Sequence, residues 1–175
     1  FETPGGTIND IIQWAKPHRG YGDGPNPHRV EPLVKGKEDL EALSFLYPPP
    51  RQDVAEDFPL VKSEIGERGV LSAQDTLNAG SWGMESLGPE GMLVASVEDP
   101  DLLQGVCKVG QKAHLRNLKV LLERGAEAVF DSWFQCGPSV GWTPKVYEQV
   151  FLPLIAESVE LTHRYDAVYI HQDDG

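Results

Sequence analysis

Ala128 to Trp133 reads Ala-Val-Phe-Asp-Ser-Trp, an apolar, strand-prone run that turns polar at Asp131 and Ser132 just after a helical pattern closing at Arg124-Gly125. Buried parallel strands are written this way when their carboxyl ends carry chemistry, because ligands of parallel sheets sit beyond those ends. The grammar returns at Ala167-Val168-Tyr169-Ile170, which breaks into His171-Gln172-Asp173-Asp174-Gly175. A shorter instance is Gly69-Val70-Leu71-Ser72-Ala73 followed by Gln74-Asp75-Thr76, where Asp75 is either a site residue or a helix cap.

Two helical patterns separate these strands. Asp99-Pro100 starts the first, with an acid at the cap and proline where its missing N–H costs nothing, and Gly125 closes it. His114 lies inside this pattern and reads as a partly exposed helix histidine. Thr143-Pro144 starts the second, in which Val146, Tyr147, Val150, Phe151, Leu154, Ile155 and Leu161 recur at helical spacing. Pro153 removes a backbone hydrogen bond and predicts a kink or break near 149–152. Ahead of both, Thr76 to Gly91 reads as a short helix plus a loop, with Trp82 and Met84 as packing residues.

Strand, helix, strand, helix, strand with crossovers of more than a dozen residues specifies parallel βαβ units. These are right-handed almost without exception, so the three strands should lie side by side. The fold class expected is therefore α/β, an arc of a barrel or half of a doubly wound sheet. The chain up to residue 68 reads as helical and loop segments that cover this sheet, and 69–175 as three βα units of the same domain. Within the first part, Thr7 caps an amphipathic helix through Ile8, Ile11, Ile12 and Ala15, and 18–32 is a loop by its glycine and proline content. His18 and His28 have no metal-ligand spacing. Helices are expected within Val34 to Leu46 and Asp53 to Glu67.

A net charge of −12 opposes non-specific binding to nucleic acid or to anionic membranes, both of which reward basic patches. No run approaches the roughly 18 apolar residues of a membrane span, and nothing near Phe1 resembles a signal peptide. Two cysteines, Cys107 and Cys136, form no disulfide framework and read as thiols of a reducing compartment, so a soluble cytoplasmic protein is expected. The chain starts at Phe1 and stops as a strand delivers its polar tip, and the natural polypeptide is expected to continue beyond both ends.

The block from Glu123-Arg124-Gly125 to Asp131-Ser132-Trp133, the segment Tyr147-Glu148-Gln149-Val150-Phe151-Leu152-Pro153 and His171 at a strand end together resemble the uroporphyrinogen decarboxylase superfamily. Thr3-Pro4-Gly5-Gly6 and Pro32 to Leu40 are similar to its middle region. The superfamily holds the decarboxylase itself and zinc-dependent methyltransferases that move methyl groups to or from corrinoid proteins and thiols. The resemblance implies a TIM (β/α)8 barrel, of which this chain supplies the third, fourth and fifth strands. A full barrel takes about 250 residues, so the arc is incomplete in 175.

Carried over by position, Ser132 matches the serine that helps hold a substrate carboxylate in the decarboxylase, and Asp131 stands where that enzyme often has Glu. His171 matches the first zinc ligand of a His-x-Cys pattern in the methyltransferases, with Asp173 in place of the cysteine. The decarboxylase's arginine-rich loop and second-strand aspartate have no counterpart, and neither does the methyltransferases' later cysteine. The candidate catalytic residues are thus Asp75, Asp131 and Ser132, with Gln74, Trp133 and Gln135 beside them as candidate substrate contacts. His171 and Asp173 are the candidate metal ligands, on the same side of their strand by its alternation, and Cys136 is a candidate third.

Zinc with an open position would act as a Lewis acid on a thiol or a methyl-bearing oxygen, and a carboxylate in place of a thiolate suits the oxygen donor better. The expected function is methyl transfer between a small methylated compound and a corrinoid protein or thiol. Cofactor-free decarboxylation of a porphyrinogen is the alternative; it needs cations to grip acidic side chains, and Arg19, Arg29 and Arg51 are scattered. A non-catalytic half barrel that pairs its open edges with a second copy is a third reading.

Overall fold

The computed structural model describes residues 1–14, 27–47, 50, 55–75, 78–133 and 141–173. Its centre is a parallel three-stranded sheet, β5 (Ser72–Asp75), β6 (Ala128–Trp133) and β7 (Val168–Asp173), with β6 in the middle. Ser72 pairs with Ala128 and Ala128 with Val168, so the strands start level and end level. The order and direction match the βαβ reading, and the sheet with its helices is compatible with part of a barrel.

The crossovers are helices α3 (Ala79–Glu98) and α4 (Pro100–Glu123) from β5 to β6, and the helical run to α6 (Leu152–His163) from β6 to β7. Asp99 caps α4 by accepting the Leu102 N–H at 3.2 Å, Pro100 opens it, and Gly125 beyond its end has a φ of 96°. The buried stripe of α4 runs through Leu103, Val106, Cys107, Gly110, Ala113, Leu118 and Leu122. Its last turns meet the sheet, where Leu118, Leu122, Val129 and Ala167 form a small core. Its earlier turns join a larger core that includes Leu43, Ala79, Met92, Phe151 and Ile155.

The helix begun at α5 (Pro144–Val146), capped by Thr143, widens into a π-helical turn over Tyr147–Phe151 before continuing as α6. Pro153 has no N–H to return to the Gln149 carbonyl, and the chain absorbs the loss by inserting a wider turn, with the Leu152 N–H bonded to the Tyr147 carbonyl. The expected irregularity falls where the proline puts it. Helix α3 is longer than the short helix expected over 76–91, and it bends at Gly88, whose φ is 74°, ahead of Pro89. That bend frees the Ser86 carbonyl, which accepts the Val34 N–H at 3.0 Å and ties the amino-terminal segment to α3.

The first part of the chain departs from the reading as helix and loop. It forms two antiparallel hairpins, β1 (Glu2–Thr3) with β2 (Gly6–Thr7) and β3 (Ile11–Trp14) with β4 (Pro27–Glu31). The helix expected through Ile11 and Ile12 is a strand instead, and of the described residues of its apolar face Ile8 is buried while Ile11 and Ile12 are exposed. A short apolar run fits either period, and here a distant partner strand decided it. The helices of this region are shorter than expected, α1 being Asp39–Ser44 and α2 Phe58–Ile65. Asp39 uses its carboxylate on the N–H groups of Lys35 and Gly36, at 2.7 and 3.2 Å, which holds the chain ahead of α1 in a turn. Of the loop expected over 18–32, Pro27–Glu31 is strand β4, and residues 15–26, His18 among them, lie outside the described residues. No helix among those described is long and apolar enough to cross a membrane.

The two faces of the sheet differ. Val129 and Asp131 face the helices and are fully buried, whereas Val168 and Ile170 on the other face are 58 and 41 % exposed.

Two predictions follow from this packing. A Cβ built on Gly110 would lie 2.7 Å from the Trp82 Cβ, where α3 crosses α4, and that atom cannot swing away. Gly110→Ala should therefore lower stability by about 1–3 kcal/mol through overpacking, despite a helix propensity gain of about 1 kcal/mol; urea denaturation reads the sign. At the start of β5 the Glu127 carboxylate accepts the Leu71 N–H at 3.1 Å and pairs with Lys62 at 3.0 Å. The backbone hydrogen bond first, then Lys62, holds its pKa below the ordinary 4.5. A lowered folded pKa stabilises above the unfolded value and is lost as pH falls through the folded one. Wild type should thus exceed Glu127→Gln in thermal midpoint at pH 7, and the gap should close as pH drops below about 4.

Candidate functional site

The site is built from the carboxyl end of β6 outward. Strand alternation sends Asp131 to the helix side, next above Val129, where it is 0 % exposed. Asn78, also 0 % exposed, donates its Nδ2 to Asp131 Oδ1 at 2.8 Å and to the Ser132 carbonyl at 2.8 Å. The Asn78 Oδ1 meanwhile caps α3 by accepting the Ser81 N–H at 3.0 Å. Tyr169 of β7 donates its hydroxyl to Asp131 Oδ2. His114 of α4 brings its Nε2 to 3.6 Å from the same oxygen and to 3.0 Å from Ser158 Oγ. Ser158 gives its proton to the Leu154 carbonyl at 3.2 Å, so its oxygen accepts from His114 Nε2–H.

One carboxylate thus collects groups from α3, α4 and β7, and His114 extends the set to α6. Asp131 is closed to solvent with both oxygens engaged. In this arrangement it fixes the geometry of the rim.

On the opposite face Ser132, 1 % exposed, points its hydroxyl at Gln172 Oε1 across 3.4 Å. The parallel register sets Ser132 beside Gln172, Asp131 beside His171 and Trp133 beside Asp173. Asp75 takes the position beside Asp131 and Gln74 the one beside Phe130, with Gln74 exposed. All of these positions share one rim, since every strand ends there. Ser132 and the exposed His171, however, stand on opposite faces of the sheet, because they are one residue out of step in the register. The structure therefore groups Ser132 with Gln172, and Asp131 with Asn78, Tyr169 and His114. Gln135 and Cys136 lie outside the described residues, as do the side chains of Asp75, Trp133 and Asp173.

Among the described residues no three His, Cys, Asp or Glu side chains come together to hold a metal. Asp131, the acid beside His171 in the register, has both oxygens committed to Asn78 and Tyr169.

Sequence reasoning missed three members of the cluster. His114 is fully buried and not a partly exposed helix residue. Its spacing held the signal, since Gly110 and Leu118 one turn to either side are both buried and His114 continues their stripe. Asn78 is the cap of α3, a role weighed for Asp75; an Asn three residues before Ser81 was a legible cap signal. Tyr169 reads as one more apolar strand residue until its neighbour across β6 is known.

No protein-family model matches the chain, and no curated protein matches it in sequence. Among solved structures, a methyltransferase from Methanosarcina mazei matches it with a TM-score of 0.58 at 10 % identity. The match covers 94 % of this chain and 47 % of the other, so the chain spans about half the length of that methyltransferase. At this identity the likeness concerns the fold. It extends over both the hairpin-containing first part and the parallel sheet.

Asn78→Ala should destabilise the protein by roughly 2–4 kcal/mol, combining a lost cap with a buried carboxylate and carbonyl left short of a donor. Asn78→Ser, which keeps a cap but cannot reach both acceptors, should recover only the smaller part of that loss in chemical denaturation. Full wild-type stability in Asn78→Ser would show that the bonds to Asp131 and Ser132 contribute nothing.

Proposed function

We propose that this chain is part of a methyltransferase that takes a methyl group from a small methylated compound, with its site at the carboxyl ends of β5, β6 and β7. The observation that carries the reading is the fold shared with the Methanosarcina mazei methyltransferase over 94 % of the chain. The uroporphyrinogen decarboxylase-like resemblance of the strand-end residues supports it, and with it the three strands become an arc of a (β/α)8 barrel. In such a barrel the face bearing Phe130, Ser132, Ile170 and Gln172 looks inward, and the strand ends open on the mouth where substrates bind.

Chemically, that face offers an apolar floor at Phe130 and Ile170 beneath two hydrogen-bonding groups, Ser132 and Gln172. Exposed Gln74 stands level with the floor. None of β5, β6 and β7 carries lysine or arginine. A porphyrinogen presents several carboxylates and asks for cations in return, so this surface suits a small uncharged group better. Decarboxylation remains the alternative on the strength of Ser132 alone. In methyl transfer Ser132 and Gln172 would orient the donor, while Asp131 would hold β6 and β7 at fixed spacing beneath it.

The acceptor in this proposal is a corrinoid protein or a thiol. His171 and Asp173 are its proposed zinc ligands, and zinc would supply Lewis acidity there. The described side chains do not complete a donor set, so no step of the reading depends on the metal.

Methyl transfer from a small uncharged methyl compound such as methanol to cob(I)alamin, followed by the corrin absorbance of the methylcobalamin formed, tests the proposal. Turnover above the protein-free rate, reduced at least tenfold in Ser132→Ala, is the expected result. Release of carbon dioxide from uroporphyrinogen without any methyl transfer would put the decarboxylase in its place. Zinc analysis of wild type and His171→Ala tests the metal: near-stoichiometric zinc in the first and none in the second is expected.

A further inference from the structure

A cavity of about 560 Å³ lies between the amino-terminal segment, α1 and the first half of α3. Its walls include Leu33, Leu43, Leu46, Tyr47 and Trp82. Tyr47 and Trp82 meet edge to face, with ring centroids 4.3 Å apart at 60°, which makes one end of the cavity a rigid aromatic corner. Phe45, half exposed, adds a third ring at the wall. Size and lining fall in the range of small-molecule sites, which are largely apolar with a few polar groups that fix orientation.

Those polar groups are present and under-used. The Tyr47 hydroxyl and the Ser86 hydroxyl, on residues 6 and 1 % exposed, face each other across 3.5 Å, the outer limit of a hydrogen bond. Burial pushes the Tyr47 phenol up to about 12, so it stays a neutral donor across the physiological range. Two hydroxyls can each give and take a proton, and a bond of this length satisfies neither well. An oxygen placed between them would bond to both. The indole nitrogen of Trp82 is also buried without a hydrogen-bond partner among the described residues.

The charge at the rim narrows the ligand further. Arg29 lines the cavity, but its Nε is bonded to Asp10 at 2.9 Å and its Nη1 to Glu85 at 3.4 Å. One cation held by two acids does not attract a free anion.

We propose that this cavity is a binding site for an uncharged aromatic molecule of one or two rings bearing a hydroxyl group. The ring would stack into the corner formed by Tyr47 and Trp82, and the hydroxyl would bridge Tyr47 and Ser86. The site is separate from the strand-end rim and does not rest on the methyl-transfer reading.

Isothermal titration of the full chain with p-cresol tests it, with benzoate as the anionic control. A saturable single-site isotherm is expected, with benzoate at least tenfold weaker. Tyr47→Phe should weaken p-cresol about tenfold, the ordinary worth of one hydrogen bond to a neutral group. Leu46→Trp, which fills the cavity, should abolish binding; Leu33→Phe serves the same purpose if that variant does not fold. Ser132→Ala should leave the affinity unchanged. Absence of saturation up to the solubility of p-cresol would overturn the proposal. So would undiminished binding in a folded cavity-filling variant, or benzoate binding as tightly as p-cresol.

Discussion

The buried carboxylate of Asp131 is the constraint on which the arrangement of the rim depends. Taking a charge out of water costs several kcal/mol even after relaxation, and the cost is tolerable only when donors replace the lost hydration. Here Asn78 and Tyr169 do so from the head of α3 and from β7, while His114 of α4 packs 3.6 Å from the same carboxylate. Because each donor sits on a different element, the need to satisfy one carboxylate fixes the relative placement of all of them. Apolar contacts such as Val129 against Leu118 and Leu122 favour the same packing, but they tolerate sliding. The hydrogen bonds do not, and so the polar cluster gives this end of the sheet its register.

Helix α4 carries that constraint outward. Its carboxyl-terminal half lies on the sheet and its amino-terminal half supports α1, α3 and α6. Gly110 lets Trp82 approach closely enough to lock α3 in place, which in turn sets Asn78 at the head of α3 against β6. On the other flank the π-helical turn over Tyr147–Phe151 accommodates Pro153 while Phe151 stays fully buried and meets Trp142 edge to face at 5.1 Å. A break in the helix at Pro153 would have cost that contact. The wider turn preserves it by changing the hydrogen-bond pattern and leaving the packing alone.

The parts legible from sequence were those specified locally. Asp99-Pro100 and Gly125 bracket α4, Thr143-Pro144 opens α5, and the apolar-then-polar writing of Ala128 to Trp133 marks β6 at its observed bounds. What local pattern could not supply was pairing. Ile11 and Ile12 satisfy a helical or a strand period equally, and the partner that chose the strand, Pro27–Glu31, is over a dozen residues away. The same limit governed the site. Asp131 and Ser132 were visible as polar residues at a strand end, but which groups would meet them depended on a register one residue deep. That register set Gln172, not His171, beside Ser132. Asn78 and His114 come from 53 and 17 positions away in the chain, and only the assembled layers bring them to the carboxylate.

The two faces of the sheet then ask different things of any chemistry at the rim. The helix face is closed at Asp131, whose carboxylate is consumed in holding the strands together. The other face carries Val168 and Ile170 half exposed under Ser132 and Gln172, which is unusual for a parallel sheet, since such sheets are ordinarily covered on both sides. Two kinds of cover meet that requirement. If the sheet is an arc of a barrel, further strands close around this face and the exposed valine and isoleucine become interior layers beneath a polar mouth. If it is a half barrel acting as an assembly module, a second copy supplies the cover, and the rim then lies at an interface. Both arrangements leave Asp131 where it is and differ in what stands opposite Ser132. The hydroxyl of Ser132 therefore has a defined support in either case, while what stands opposite it is set by whatever closes the face.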